Sequence, residues 1–344
     1  MPKKMNRKRR RPIPIASPNV LRPMTSRKRA RHVTTMFHKL TRERDLALHD
    51  GDMNKVKSCE KSLEEMGGRI EYQRASQLST SFHSTSKWVL GHLANNGWLY
   101  GIKIEANSQY SEGESNSKGK STTTDVQKRK RNSRRATRIL EVGAINTELL
   151  DVAGMVGSTS REQDGGKSER ISQRTKNNIN VRAIDIHSME ERIEEADFLQ
   201  MPIESPDDVT KRYDVIVCSM VLNCVTTPIN RGKMLALLYH QLRPGGLCFF
   251  TVPKFCLTKS AFLTHNLFKK MLGRDGVGFT VKSTRESPRV AFFILERPMK
   301  NTEGATSTKR RLDPVFTKET IRNKGKKFPN QFSVVLKAEH VFRT

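Results

Sequence analysis

The chain has 344 residues, with 63 Lys and Arg against 35 Asp and Glu, a formal net charge of +28. That length suggests one or two domains with sizeable cores, while 35% hydrophobic and 28% charged residues imply that part of the chain lies outside any core. No apolar run is long enough to cross a membrane, the basic amino end lacks a signal-type apolar stretch, and the charge calls for a polyanion, either nucleic acid or an acidic membrane face.

Residues 1–32 contain twelve Lys or Arg and no acid, including Arg7–Arg11 and the run Arg27 to Arg31. Such a segment is expected to be a disordered basic arm. It can serve as a nuclear or nucleolar address, as a non-specific RNA-binding arm, or as a solvated tail.

Residues 33–106 read as a helical N-terminal extension. Thr34 and Thr35 can cap a helix running toward Leu48, and Asp50-Gly51-Asp52 ends it. A second helix is expected from Met53 to Met66, and a third region runs from Tyr72 through Leu90 to Asn95-Asn96-Gly97. Trp88, Trp98 and Tyr100 in this extension can either pack in a core or stack on bases. Residues 107–136, rich in Ser, Gly, Lys and Thr and closing on basic clusters, read as a flexible basic linker.

Beyond the linker, strands alternate with helices. Arg138–Val142, Val181–Asp185, Tyr213–Ser219 and Leu247–Val252 are short apolar strands. Helices are expected over Arg231–Leu242 and Thr258–Leu272, and 278–284 with 289–295 form a hairpin around Arg285-Glu286-Ser287-Pro288. The alternation predicts an α/β domain over 137–298, its sheet mostly parallel with an antiparallel pair at one edge. Residues 299–344 read as a basic C-terminal tail, mostly disordered or peripheral, although Phe332–Leu336 can form a short strand.

The chemistry gathers at strand ends. In Glu141-Val142-Gly143 the glycine follows the first buried strand, where a bare backbone lets a ligand approach closely. Asp185 ends the second strand, the place from which an acid accepts both hydroxyls of a ribose. Asp197, in Glu195-Ala196-Asp197-Phe198, is an acid in a short loop within reach of an adenine amino group. Ser219 and Asn223 follow the next strand. Asn223 can bond the edge of a base, or simply satisfy backbone at a helix start. The five cysteines form no CxxC pair and read as buried reduced thiols, and no structural metal is expected.

In this order the features are those of a class I S-adenosylmethionine-dependent methyltransferase, with its Rossmann-like sheet. Leu140–Gly143, Ala183–Ser188, Ala196–Phe198, Cys218–Asn223 through Leu242–Gly246 and, upstream, Tyr72-Gln73-Arg74-Ala75-Ser76 resemble the fungal 25S ribosomal RNA adenine-N1 methyltransferase family. The resemblance covers roughly 71–298. It implies a nucleolar enzyme that uses S-adenosylmethionine, with Gly143 and Asp185, alongside Glu141 and Asp197, as cofactor contacts. Large-subunit ribosomal RNA or a pre-ribosomal particle is the implied partner, and no catalytic residue is assigned. A non-enzymatic S-adenosylmethionine sensor acting through a protein partner is the alternative; the basic segments favour RNA.

Two departures stand out. The turn after the first strand, Gly143-Ala144-Ile145-Asn146-Thr147, has a single glycine, which leaves Asn146 or Thr147 to hold the methionine end. Gly143 and Asp185 also lie 42 positions apart, so 154–180 is expected to be an inserted loop.

Overall fold

The computed structural model describes residues 24–80, 85–103, 134–153, 156–157, 175–188, 190–203, 209–299, 316–323 and 325–341. Most of the basic arm, residues 107–133 of the expected linker and most of the inserted loop lie outside them; the end of that linker is structured rather than flexible, with Arg134 and Arg135 paired antiparallel to Lys103 and Ile102 and Arg135 bridging buried Asp214 at 2.5 Å.

Seven strands form the central sheet: β1 Thr137–Val142, β2 Ile179–Asp185, β3 Glu194–Glu195, β4 Tyr213–Ser219, β5 Leu242–Pro253, β6 Thr280–Glu286 and β7 Val290–Glu296. Their order is β6-β7-β5-β4-β1-β2-β3. β4, buried at Tyr213 through Cys218, runs parallel to β1 and β5, with Val142 paired to Cys218 and Ser219 to Thr251. Burial on both faces is why its sequence is nearly continuous in apolar residues. Only β7 is reversed: it pairs antiparallel with β5 on one side and β6 on the other. The hairpin expected at the edge is therefore present, with its reversed strand one place inside.

The chain leaves β1 toward β2 and β3, then returns across it to β4 and β5. The carboxyl ends of β1 and β4 thus diverge and open a crevice, as at the switch point of any doubly wound sheet. One face of the sheet packs Leu140, Val142, Ile216, Phe250 and Phe293 against the helices α6 (Pro228–Gln241) and α8 (His265–Leu272). The other packs Ile139, Val215, Val217 and Phe249 against α4 (Thr85–Asn95) and α5 (Glu148–Ala153). Trp88 of α4 meets Phe249 and Phe292 edge-on, each at 5.2 Å. Trp88 and Trp98, each partly buried, pack against this core.

α1 (Arg27–His49), α2 (Met53–Glu65) and α3 (Gly68–Thr80) complete the N-terminal helical region. α1 begins at Arg27, capped by Ser26, whose hydroxyl accepts from the Arg29 amide at 3.3 Å. The expected cap at Thr34 is inside the helix, its hydroxyl donating to the Ala30 carbonyl. Ala30, Val33 and Phe37, at helical spacing, are buried, and Ala30 and Val33 pack with Ala75 of α3. This apolar stripe is interleaved with Arg and Lys, so the last residues of the supposed arm are helix rather than disordered.

Two further expectations are corrected. The helix over 258–272 is two, α7 (Lys254–Thr258) and α8, separated by buried Ser260. The Ser260 hydroxyl donates to the Phe332 carbonyl and accepts from the Phe262 and Leu263 amides, which breaks the helix there. The C-terminal tail is also not peripheral over its described part. Phe332, Val334 and Leu336 are buried in the main core, Val335 donates to the Pro228 carbonyl, and the Arg231 guanidinium reaches the Ser333 carbonyl at 2.8 Å. α6 accepts this segment because position 232 is glycine: a Cβ there would lie 1.8 Å from the Val335 oxygen. α9 (Ala338–Val341) follows.

Candidate functional site

β1 delivers Gly143 to the crevice with φ 72°, in the left-handed region that favours glycine. Its amide and that of Ala144 both donate to the Ile184 carbonyl, at 2.8 and 3.0 Å, which ties the turn to the end of β2. A Cβ on Gly143 would sit 2.4 Å from Val221 Cγ2, so the turn is closed in by the loop after β4.

Two residues earlier, alternation along β1 turns Glu141 to the face covered by α5. Its Oε2 is buried without a hydrogen-bond partner. Desolvation, with the charge of Glu148 second, pushes the Glu141 carboxyl up to about 8. A buried acid with an unused oxygen beside a glycine turn suits a positively charged or donor group of a bound molecule. Asn146 and Thr147 are differently occupied. Asn146 Oδ1 accepts from the Glu148 amide, and the Thr147 hydroxyl donates to Asp151, so both are engaged at the start of α5.

Asp185, half-buried at the end of β2, lines a cleft of about 400 Å³ that includes space open to solvent. One wall is sheet-borne, from Ala144, Asp185 and Ser188; the other is α3, through Tyr72, Gln73 and Ser76. Gln73 donates to the His187 carbonyl and pins the two walls together. Asp185 Oδ1 accepts from the His187 amide at 2.9 Å, and burial raises its pKa. Asp197 is placed after β3, outside the lining of this cleft. Its Oδ1 caps the turn Phe198–Gln200 by accepting from Leu199 at 2.9 Å. The fold therefore brings Glu141, Gly143 and Asp185 to adjacent strand ends and leaves Asp197 one strand further out.

The loop after β4 supplies the opposite side. Ser219 is hydrogen-bonded to Thr85 at 2.7 Å and to Thr251 at 2.9 Å. Met220 takes a left-handed backbone, φ 61°, its amide shared between the Thr251 hydroxyl and carbonyl, both at 3.1 Å. Asn223 Nδ2 donates to Cys224 Sγ, while its Oδ1 is buried and unpartnered. Above the loop, His38 Nε2 lies 3.5 Å from the Tyr72 hydroxyl and 3.6 Å from Cys224 Sγ. Burial, reinforced by Arg42, lowers His38 to about 4; burial also raises Tyr72 and pushes Cys224 up to about 12. Burial thus disfavours the charged form of all three side chains.

Sequence reasoning singled out Asn223 and the Tyr72 stretch but missed His38, Thr85, Met220 and Thr251. Only the tertiary fold brings the first two onto the loop, and a left-handed methionine leaves no sequence signature.

The strand order, with β7 alone reversed, is that of the class I S-adenosylmethionine-dependent methyltransferase fold. Within that class, residues 165–334 match the model of the Bmt2 family, described as 25S rRNA (adenine(2142)-N(1))-methyltransferase. The resemblance expected from the sequence is thus shown over that segment, which includes Asp185, Asp197, Asn223 and the buried 332–334. Gly143 and Glu141 precede it.

A curated relative from Saccharomyces cerevisiae, 25S rRNA (adenine(2142)-N(1))-methyltransferase, is 29% identical over 117 residues, 34% of this chain and 33% of that protein. The match thus spans about a third of the length of that relative. Among solved structures, N-methyltransferase NodS from Bradyrhizobium japonicum with S-adenosyl-L-homocysteine aligns over 48% of this chain and 79% of its own, at 12% identity and a TM-score of 0.30. The T. thermophilus 16S rRNA N2 G1207 methyltransferase aligns over 48% and 36%, at 14% and 0.28. Scores this low add nothing to what the strand order shows.

Proposed function

We propose that this protein is an enzyme that transfers a methyl group from S-adenosylmethionine to N1 of an adenine in large-subunit ribosomal RNA. The observation that carries the reading is the family match over 165–334, which includes the end of β2 with Asp185 and the β4 side of the crevice. When bound, S-adenosylmethionine supplies an electrophilic methyl group on a sulfonium. The residues present fit it: the Gly143 turn leaves bare backbone, Asp185 offers a carboxylate to ribose hydroxyls, and Glu141 keeps a buried oxygen for a cationic group. Asp197 is the fourth proposed contact, toward the adenine ring.

Adenine N1 is a neutral nucleophile, so the protein needs to orient it in a dry site rather than deprotonate it. N1 lies on the pairing edge, which requires an unpaired or flipped-out base. Asn223 Oδ1, buried and lacking a donor, suits the amino group next to N1. Residues 1–32 and the linker 107–136 add phosphate affinity, and we assign the protein to the nucleolus, where ribosomal RNA is made and modified. Among the described residues no helix is long and apolar enough to cross a membrane, and no cluster of His, Cys, Asp and Glu is arranged for a metal.

The test is 1-methyladenosine in large-subunit rRNA of cells carrying only Gly143→Arg. The nucleoside should disappear while the protein persists and its S-adenosylmethionine binding is lost. Unchanged 1-methyladenosine with binding lost overturns the enzymatic reading.

A further inference from the structure

Phe255 is an aromatic side chain without a core role. It sits in α7, directly after β5, and is 51% exposed, while Cys256 and Leu257 beside it are buried. Its place is the reactive edge of the sheet: four residues earlier on the same chain, Thr251 bonds Ser219 and Met220. A phenyl ring left half in water at that edge forgoes burial that a polar residue would not need.

What surrounds the ring is basic. Lys254 precedes it, with its amide bonded to the Arg289 carbonyl. Lys259 follows on the next turn, and its carbonyl accepts from Asn330, whose side chain reaches the Phe255 carbonyl at 3.4 Å. Asn330 belongs to the C-terminal segment, in which Lys326 and Lys327 are exposed, with Arg322 at 4.8 Å and Lys327 at 5.7 Å from the Phe328 ring. The nearby acid, Glu286, is shared between Lys254 at 2.5 Å and His265 at 2.8 Å. An exposed ring on segments rich in cations matches a polyanion whose repeating units carry flat faces.

We infer that Phe255 is a stacking platform for an unpaired RNA nucleotide at the rim of the acceptor site, its phosphates held by Lys259, Arg289 and Lys326. This rests on the RNA-methylating reading and adds to it a surface for the strand around the acceptor. Stacking accepts any base, so the platform grips unpaired RNA and leaves sequence choice to other contacts. It contributes nothing to a paired duplex, whose base faces are hidden.

The full chain is titrated with an oligoadenylate of about ten nucleotides and with a fully paired RNA duplex. Phe255→Ala and Phe255→Leu should each weaken oligoadenylate binding about 5–100-fold, leave duplex binding unchanged, and leave the slope of log Kd against log salt unaltered, since no charge is removed. Phe255→Trp should keep wild-type affinity, and its added emission should be quenched by oligoadenylate. S-adenosylmethionine affinity should be the same in all, which also reports intact folding. Wild-type oligoadenylate affinity in the alanine variant, or tryptophan emission that does not respond to RNA, overturns the inference. Failure of the enzymatic reading is separable: a wild-type protein that leaves 1-methyladenosine unchanged refutes methylation, while these affinities stand or fall alone.

Discussion

The hydroxyl of Thr85, first residue of α4, is hydrogen-bonded to the hydroxyl of Ser219, last residue of β4, at 2.7 Å. The N-terminal region thereby holds the loop carrying Met220 and Asn223 through one short polar contact. Thr85→Val keeps the shape and deletes the bond. We expect a stability loss of about 1 kcal/mol. Methyl transfer should fall further than that loss accounts for, with S-adenosylmethionine affinity retained. Denaturant melts and single-turnover rates on rRNA check this, and parallel losses in both would reduce Thr85 to a packing residue.

Glu141 makes stability depend on pH. Its carboxyl titrates near 8 in the folded chain against an ordinary 4.5, so the folded state binds the extra proton between those values. Stability therefore falls as pH rises from about 4.5 to 8. Glu141→Gln removes that penalty: its advantage over wild type should be absent near pH 4, grow through neutrality, and reach on the order of a few kcal/mol above pH 8. Urea melts across that range decide it.

Asn223→Ala should cut turnover on rRNA about 10–100-fold, because a positioned acceptor for the base amino group is lost. Calorimetry should find cofactor affinity unchanged. A variant with full turnover would mean that Asn223 serves only its own loop.

Leu336→Ala should cost about 2–5 kcal/mol, as expected for a fully buried leucine beside α6. Deleting 316–344 should unfold the α/β domain instead of merely weakening RNA binding, which circular dichroism and proteolysis would show.

Two truncations separate arm from helix. Removing residues 1–23 keeps the Ser26 cap and should flatten the salt dependence of RNA binding without loss of stability. Removing 1–32 also takes Ala30 from its contact with Ala75 and should lower the melting temperature.

The central strands were readable because β1, β2 and β4 are short and largely apolar, and β4 matches its expected bounds residue for residue; β3, two glutamates, carries no such signal. The positions of Gly143 and Asp185, directly after β1 and at the end of β2, were readable for the same reason. α1 was misplaced because its buried Ala30, Val33 and Phe37 are spread among cations, so local charge outweighed period. The C-terminal segment was misjudged because Phe332, Val334 and Leu336 alternate within a polar stretch, and their burial depends on a glycine far upstream. Asp197 has one oxygen on the Leu199 amide, a turn cap that the sequence alone does not announce. The cover over the β4 loop, from His38, Tyr72 and Thr85, joins segments that no local pattern connects.

The fit of Val335 over Gly232 bears on the order in which the protein is made. α6 emerges from the ribosome well before the segment that seals it, so until residues 332–336 follow, the apolar surface they will cover is open to water and to other chains. A message truncated anywhere between the sheet and that segment would yield a product with every strand present and one side of its core bare. Such a product is a substrate for chaperones and proteases before it is an enzyme of any kind.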